Sequence, residues 1–425
     1  MTKHFGSRFV AYLALTLVSL VFAALLRRIE LVMIGTTFAV AIVAALLGDR
    51  QPRLRFSHSI SRLTLFEGDE VDVEFTVHGG TAVPIAEVVD PLPAGASLVS
   101  GRNGVIVSLG PGQTETCRYR LRIDRRARFT QGRLFHRAYA GSGMIMWEAE
   151  WSDPKICTAY PRVDSVSRPV RPFHTQVNVG NYPSREASEG LEFASMREYV
   201  PGDRLRTVNW RATQRNGRMY VNEYTRERNA DVVLLLDAFE DAGAFGSTVL
   251  DQATRIAASL ARYFLTGNNR VGCIELSGLL RWVSPNLGTR QQYRILEFLT
   301  DVRARESDVD RDITKVPRQI LPSQALIPAF TPLIDVRFTD TLLNLASRRF
   351  DVAAVVITPA LALAPVYGAT PSEAAAVPLW RLETDTASRQ LAEAGVPIIR
   401  LEPDEPVELL AARIDALRRR RLLLQ

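Results

Sequence analysis

The sequence predicts an α+β multidomain chain: a transmembrane helical hairpin, then an antiparallel β-sandwich, then a doubly wound α/β domain. Three observations carry this. Two uncharged apolar runs fall within the first 47 residues, apolar and polar residues alternate between 53 and 163, and continuous apolar runs alternate with helix-period segments after 230. At 425 residues the chain exceeds one ordinary core, so several domains are expected. The expected boundaries are 1–52 for the hairpin, 53–163 for the sandwich, 164–229 for a linker with an arginine-rich block, and 230–425 for the α/β domain.

The runs FVAYLALTLVSLVFAALL (9–26) and LVMIGTTFAVAIVAALL (31–47) each approach the roughly 20 residues that cross a hydrocarbon core, and Arg27, Arg28 and Glu30 separate them. A cleaved signal peptide is the rival reading, but no small-residue cleavage site follows the first run and the second comes at once. Residues 9–47 are therefore expected to contact a lipid bilayer. Lys3, Arg8, Arg50, Arg53 and Arg55 flank the open end, so the positive-inside rule places the soluble bulk in the cytoplasm.

The 52 basic and 46 acidic residues leave a net charge of +6, and only Lys3, Lys155 and Lys315 among the bases are lysines. A GC-rich codon usage accounts for that bias, so only local clustering of arginine carries meaning. Cys117, Cys157 and Cys273 have no paired spacing, and the five histidines stand singly, which argues against a disulfide framework, a thiolate metal site or a histidine metal site.

In the stretch 71–77, VDVEFTV, residues Val71, Val73, Phe75 and Val77 share one face, the period of a half-buried strand. Similar runs recur between the turn clusters EGD, HGG, DPLPAG, SGRNG and GPG, with no helix-length segment among them. That is the pattern of a small immunoglobulin-like sandwich. No nucleophile, base and oxyanion donor cluster there. A proline- and serine-rich stretch from 165 to 190 then reads as a linker.

The block GLEFASMREYVPGDRLRTVNWRATQRNGRMYVNEYTRER holds eight arginines and five acids from 190 to 228. Pro201-Gly202 makes a turn, and Asp203 stands in the place of an N-cap for a helix over 204–216 that Gly217 ends. Leu205, Val208 and Ala212 would line its packed face with Trp210 as an anchor, and Arg204, Arg211, Arg215 and Arg218 would form a stripe. Two readings of the stripe stay open. It forms ion pairs with Glu192, Glu198, Glu223 and Glu227, or it meets an external acidic or phosphate group. The block lacks His, Cys and Lys, so catalysis is the weakest option, and its balance of acids argues against a nucleic-acid groove.

DVVLLLDA (231–238), VGCIEL (271–276), VAAVVIT (352–358) and VPIIRL (396–401) read as buried strands separated by helices, which gives the doubly wound domain. The block and the following VVLLLD resemble the domain of unknown function 58 family, and the resemblance covers nearly the whole chain. It implies a membrane hairpin, a β-rich domain and a von Willebrand factor A-like domain, in a bacterial inner-membrane protein. In von Willebrand A domains the first strand usually ends in Asp-x-Ser-x-Ser, which holds a divalent ion through oxygen. Here Asp237 is followed by Ala238, Phe239, Glu240 and Asp241, and a later strand ends Ile357-Thr358-Pro359 where an aspartate would be expected. The metal site reads as degenerate, with Asp237, Glu240 and Asp241 as vestigial candidates for Mg²⁺ and no cofactor expected.

The resemblance also implies companionship with a MoxR-type AAA+ ATPase in assembling or remodelling envelope or membrane-associated proteins. The expectation is a non-catalytic adaptor whose interaction motif comprises Arg197, Glu198, Tyr199, Pro201, Gly202, Asp203, Arg206, Asn209, Trp210 and Arg211. The alternative is a divalent-cation-dependent ligand binder using Asp237 and the neighbouring carboxylates.

Overall fold

The structure, a computed structural model, describes residues 1–49, 51–140, 143–164, 192–225, 231–243, 248–305, 316–317, 320–322, 325–357, 371–401 and 405–424. The chain divides into two compact units, Met1–Pro161 and Arg162–Gln425.

The first unit begins with strand β1 (Thr2–Phe5) and helices α1 (Ser7–Leu26) and α2 (Ile29–Leu47). Both helices are long and apolar enough to cross a membrane. They pack along one another, with the Tyr12 and Phe38 rings 5.3 Å apart and Gly35 against Leu20. Leu17, Val21, Leu25, Met33, Val40 and Leu47 stay exposed, an apolar surface that water would penalise.

Seven strands make up most of the β-rich part, and the stretches 71–77 and 117–123 alternate between core and outer face as the sequence predicts. The seven are β2 (Leu54–Ile60), β4 (Glu70–Gly79), β5 (Val83–Val89), β6 (Ala96–Gly101), β7 (Gly104–Leu109), β8 (Thr114–Ile123) and β9 (Ala127–Ala140), and short β3 (Thr64–Phe66) and long β10 (Ile145–Tyr160) complete the set. One sheet runs β1-β10-β9-β5-β7 with β3 beside β10, and the other runs β2-β4-β8-β6. Both contribute to one core, in which Val71, Val73, Phe75 and Val77 of β4 meet Val83, Ala86 and Val88 of β5 and Leu134 of β9. On the opposite face of β4, Glu74 and Asp72 accept from Arg118 Nε (2.7 Å) and Arg120 Nε (2.8 Å) of β8. These exposed pairs fix register more than they add stability.

The expected boundary at 52/53 does not separate two compact units, because β1 pairs antiparallel with β10. Asp49, just past α2, lies 2.6 Å from Lys3 Nζ and accepts from Trp147 Nε1 at 3.0 Å, so both ends of the helical pair are tied to β10.

A polar cluster the sequence does not announce lies inside this core. Asp90, only 1% exposed, accepts from Tyr119 Oη (2.6 Å) and Gln131 Nε2 (3.0 Å), and its Oδ2 is 2.9 Å from His58 Nε2. His58 and Tyr119 belong to one sheet and Gln131 to the other, so the cluster joins the two sheets through hydrogen bonds.

In the second unit, β11 (Glu192–Glu198) and β12 (Tyr220–Thr225) form a separate two-stranded sheet around helix α3 (Trp210–Asn216). The main sheet has the order β15-β14-β13-β16-β17-β18. Its strands are β13 (Asp231–Asp237), β14 (Arg270–Leu276), β15 (Leu280–Asn286), β16 (Leu326–Thr331), β17 (Asp351–Val356) and β18 (Ile398–Arg400), parallel except for the edge strand β15. Helices α4 (Val249–Thr266), α5 (Gly288–Thr300), α6 (Val336–Ser347), α7 (Pro371–Glu393) and α8 (Val407–Leu424) follow the strands. Phe338, Leu342 and Leu345 of α6 and Leu391 of α7 pack on Val233, Leu235, Ile327 and Val352, while α4, between α5 and α8, contacts β13, β14 and β16.

The sequence reading passed over β15, β16 and α6. In β16, Pro328 argues against a strand because it lacks an N–H. The sheet accommodates it where the β13–β16 pairing skips Ile327 and Pro328. The chain leaves β13 for β14 on one side and returns to β16 on the other, so the C-terminal ends of β13 and β16 form the topological switch point. The expected linker, Glu227 and the Thr358-Pro359 pair lie outside the described residues, as do the side chains of the terminal arginine run.

Candidate functional site

The arginine-rich block folds as a hairpin with an insertion. Asp203 N–H donates to Val200 O at 3.0 Å, closing a turn with Pro201 second and Gly202 third, where φ is +112°. Glycine is needed there because that backbone region penalises a Cβ.

Asp203 is not the helix cap that the sequence suggests. Its carboxylate accepts both Arg197 Nη1 and Nη2 at 2.8 Å and the Val200 N–H at 2.8 Å. The Arg197 fork first, and the Val200 amide second, hold the Asp203 carboxyl down at about 2. The helix is shorter than expected. A 3₁₀ turn covers Leu205–Thr207, and α3 starts at Trp210 with Asn209 as cap, its Oδ1 accepting the Ala212 N–H at 3.1 Å. Asn209 also donates from Nδ2 to Asn222 Oδ1 at 2.9 Å and from its N–H to Tyr220 O at 2.8 Å, which fastens α3 to β12. Gly217 ends α3 in the left-handed conformation, as expected.

Replacing Asp203 by alanine is expected to speed hydrogen exchange at the Val200 amide and leave α3 protected, because Asn209 still caps it. A cap role for Asp203 would instead fray α3. The sign with pH is that of a depressed carboxyl: its bonds are complete above 3.8 and are lost as pH falls through about 2.

The remaining motif residues separate into paired and unpaired groups. Glu198 accepts from Arg218 Nη1 at 3.1 Å, and the half-buried Tyr199 donates its N–H to Met219 O at 2.8 Å. Val208 is buried and bridges Val221. The single arginine stripe does not form, since only Arg211 and Arg215 lie in α3. Neither makes an ion pair with a described residue, whereas Arg204 and Arg206 are both engaged. Trp210 is 64% exposed rather than packed, and Leu205 (64%) and Val200 (56%) are exposed with it. A buried anchor was expected, but α3 starts at Trp210 and presents it outward.

The second candidate lies at the switch point. Asp237 ends β13, and its Oδ2 accepts from Thr331 Oγ1 of β16 at 2.6 Å while its Oδ1 accepts the Phe239 N–H at 3.3 Å. Thr331 Oγ1 in turn accepts the Leu333 N–H at 2.9 Å. Burial pushes the Asp237 carboxyl up to about 7 against these hydrogen bonds, with Asp335 and Glu240 adding repulsion. Arg337 lies 4.3 Å from the Phe239 ring and donates to Asp335. Glu240 is exposed, and Asp241 accepts the Leu250 N–H at 3.2 Å at the start of α4. The sequence looked for the second oxygen ligand after β17, but the strand beside β13 is β16, so the facing group is the Thr331 hydroxyl. Among the described residues no three His, Cys, Asp or Glu side chains converge in a way that could hold a metal ion.

A family model described as "Protein of unknown function DUF58" matches residues 195–373, which include both candidate sites. The chain is 23% identical over 302 residues to the uncharacterized protein YeaD of Bacillus subtilis (strain 168), covering 68% of this chain and 72% of that one. Among solved structures, the cupredoxin domain of amoB from Nitrosocaldus yellowstonii matches 31% of this chain and 99% of its own at 10% identity, with a TM-score of 0.19. A FixG-related protein from Vibrio parahaemolyticus matches 25% of this chain and 95% of its own at 16% identity, with a TM-score of 0.17. Scores this low transfer neither fold nor function. The signature motif lies within the matched segment, and these matches identify residues 195–373 as a DUF58 family segment.

Proposed function

We propose that this chain is a non-catalytic adaptor anchored in a bacterial inner membrane. In this reading the two helices span the membrane with both soluble units on the cytoplasmic side, which the basic residues flanking the helical pair support, and the chain acts with a MoxR-type AAA+ ATPase in assembling or remodelling envelope or membrane-associated proteins. The first unit carries an immunoglobulin-like sandwich and the second a von Willebrand factor A-like domain. The order of the main sheet, with its antiparallel edge and its switch point at Asp237, supports the latter comparison.

One observation carries the adaptor reading. The signature hairpin exposes Val200, Leu205 and Trp210 beside Arg211 and Arg215, which pair with no described acid. Tryptophan and arginine are the residues that dominate binding at protein interfaces, and exposed apolar side chains together with guanidinium groups unpaired among the described residues fit an acidic partner surface with an apolar anchor.

The degenerate metal site forms part of the same reading. Both Asp237 oxygens already accept hydrogen bonds from the chain, and Ala238 and Phe239 offer no side-chain oxygen. That donor set does not fit an octahedral Mg²⁺ site. Thr331 takes the position facing the carboxylate, so the loop is held without an ion.

The test is affinity purification of the intact chain in mild detergent with ATP, compared with a Trp210→Ala, Arg211→Glu variant. Both side chains are exposed, so the variant is expected to keep its melting temperature. An AAA+ ATPase identified by mass spectrometry should co-purify with the intact chain and fall about tenfold or more with the variant, since an interface anchor is worth roughly 2 kcal/mol. Equal recovery of the ATPase from both would remove the hairpin from the interface, and its absence from both would end the adaptor proposal.

A further inference from the structure

We infer that a groove at the far edge of the main sheet is a binding site for a phosphate-type oxyanion. It has a volume of about 650 Å³ and is lined by Asp385, Ser388, Arg389, Ala392, Ile398, Arg400 and Arg413. Its three arginines come from three different elements, with Arg389 on α7, Arg400 at the end of β18 and Arg413 on α8.

Two of the three guanidinium groups are held in place. Arg400 Nη2 donates to Asp385 Oδ1 at 2.5 Å, and Arg413 Nη1 donates to the Glu405 carboxylate at 2.9 and 3.2 Å and to Arg400 O at 3.5 Å. Each carboxylate takes part of a guanidinium that carries five N–H donors, so donors remain for another acceptor. An internal ion-pair network would account for these two pairs alone, but two features are left over. Arg389 has no ion-pair partner among the described residues, and the Ser388 hydroxyl, in a residue 6% exposed, has no hydrogen-bond partner.

Among the described residues the lining therefore sets three cations against one carboxylate, Asp385, with Glu405 behind Arg413, and adds an arginine without a described ion-pair partner and an unsatisfied buried hydroxyl. Planar forks recognise the tetrahedral oxygens of a phosphate in bidentate fashion, and a serine hydroxyl can donate to the same group. Among the described lining residues the apolar part of the wall is Ala392 and Ile398, with no ring on which a base could stack, so the proposed recognition is of the oxyanion itself. This site is independent of the docking hairpin.

The test is calorimetric titration of the intact chain in detergent with pyrophosphate and with inorganic phosphate, at fixed ionic strength. One saturable site is expected for pyrophosphate, weakened about tenfold by Arg389→Ala, since a charged hydrogen bond of this kind contributes on that order. Arg389→Lys should retain part of the affinity, because it keeps the charge but not the fork. Arg294→Ala, which removes an exposed arginine on α5, should leave the affinity unchanged. Absence of saturable heat at millimolar pyrophosphate overturns the inference. So does equal weakening by Arg294→Ala and Arg389→Ala, because that would reduce the effect to general charge.

Discussion

Replacing Asp90 by alanine is expected to destabilise the first unit by about 3–5 kcal/mol, the usual cost of removing one partner from a buried charged cluster. The magnitude follows from what is left behind. His58, Tyr119 and Gln131 all direct polar atoms at the Asp90 carboxylate from inside the core, and removal of that acceptor strands them without water. Burial first, and the Asp90 charge second, push the Tyr119 phenol far above its ordinary range, so it remains a donor at every accessible pH. Asp90→Asn should cost less, because the amide keeps one acceptor oxygen. The measurement is hydrogen exchange at the β4 and β8 amides of the intact chain, read as a fall in opening free energy. A change below about 1 kcal/mol, the scale of an ordinary solvated hydrogen bond, would mean that the cluster is open to water.

Asp237→Asn is expected to remove a pH dependence from the second unit. The wild-type carboxyl stands at about 7 in the fold against 3.8 ordinarily, so between those values the folded chain holds a proton that the unfolded chain has released. Stability therefore falls as pH rises from 3.8 to about 7 and levels off above it, by a total of about 4 kcal/mol for this group. Asparagine imitates the protonated acid. Its oxygen can accept the Phe239 N–H and its amide can donate to Thr331 Oγ1. The variant should match wild type near pH 4 and exceed it near pH 8, and the difference between the two melting curves isolates this group from the other carboxylates. Millimolar Mg²⁺ should shift neither curve. A magnesium-dependent rise in wild type that Asp237→Asn abolishes would replace the hydrogen-bonded loop by a cation site.

Much of the architecture was legible because short-range rules set it. The apolar runs of α1 and α2, the alternation of Val71, Val73, Phe75 and Val77, the Pro201-Gly202 turn and the Gly217 stop each depend on a few neighbouring residues and the backbone region they can occupy. The continuous run of β13 ending at Asp237 was legible for the same reason.

The candidate sites were less so. Asp203 and Asn209 are both good N-cap residues, and local preference cannot choose between them. The choice was made by Arg197 across the hairpin, whose fork takes Asp203, and by the pairing of β12 with Asn209, which leaves Asn209 to start α3. The same shift turned Trp210 from an expected anchor into an exposed side chain. Thr331 escaped notice because Pro328 obscured β16 and because sequence order does not reveal which strand lies beside β13.

By itself the sequence determined where the elements are, that two helices are apolar enough for a membrane, and which family the signature belongs to. Only the tertiary structure decided the partner of each polar group: Thr331 for Asp237, Arg197 for Asp203, Tyr119 and Gln131 for Asp90, and no described acid for Arg389. The physical reason is range. Backbone preference and hydrophobic period act over a few residues, whereas a hydrogen bond or ion pair forms only where strand order and register bring distant side chains within about 3 Å.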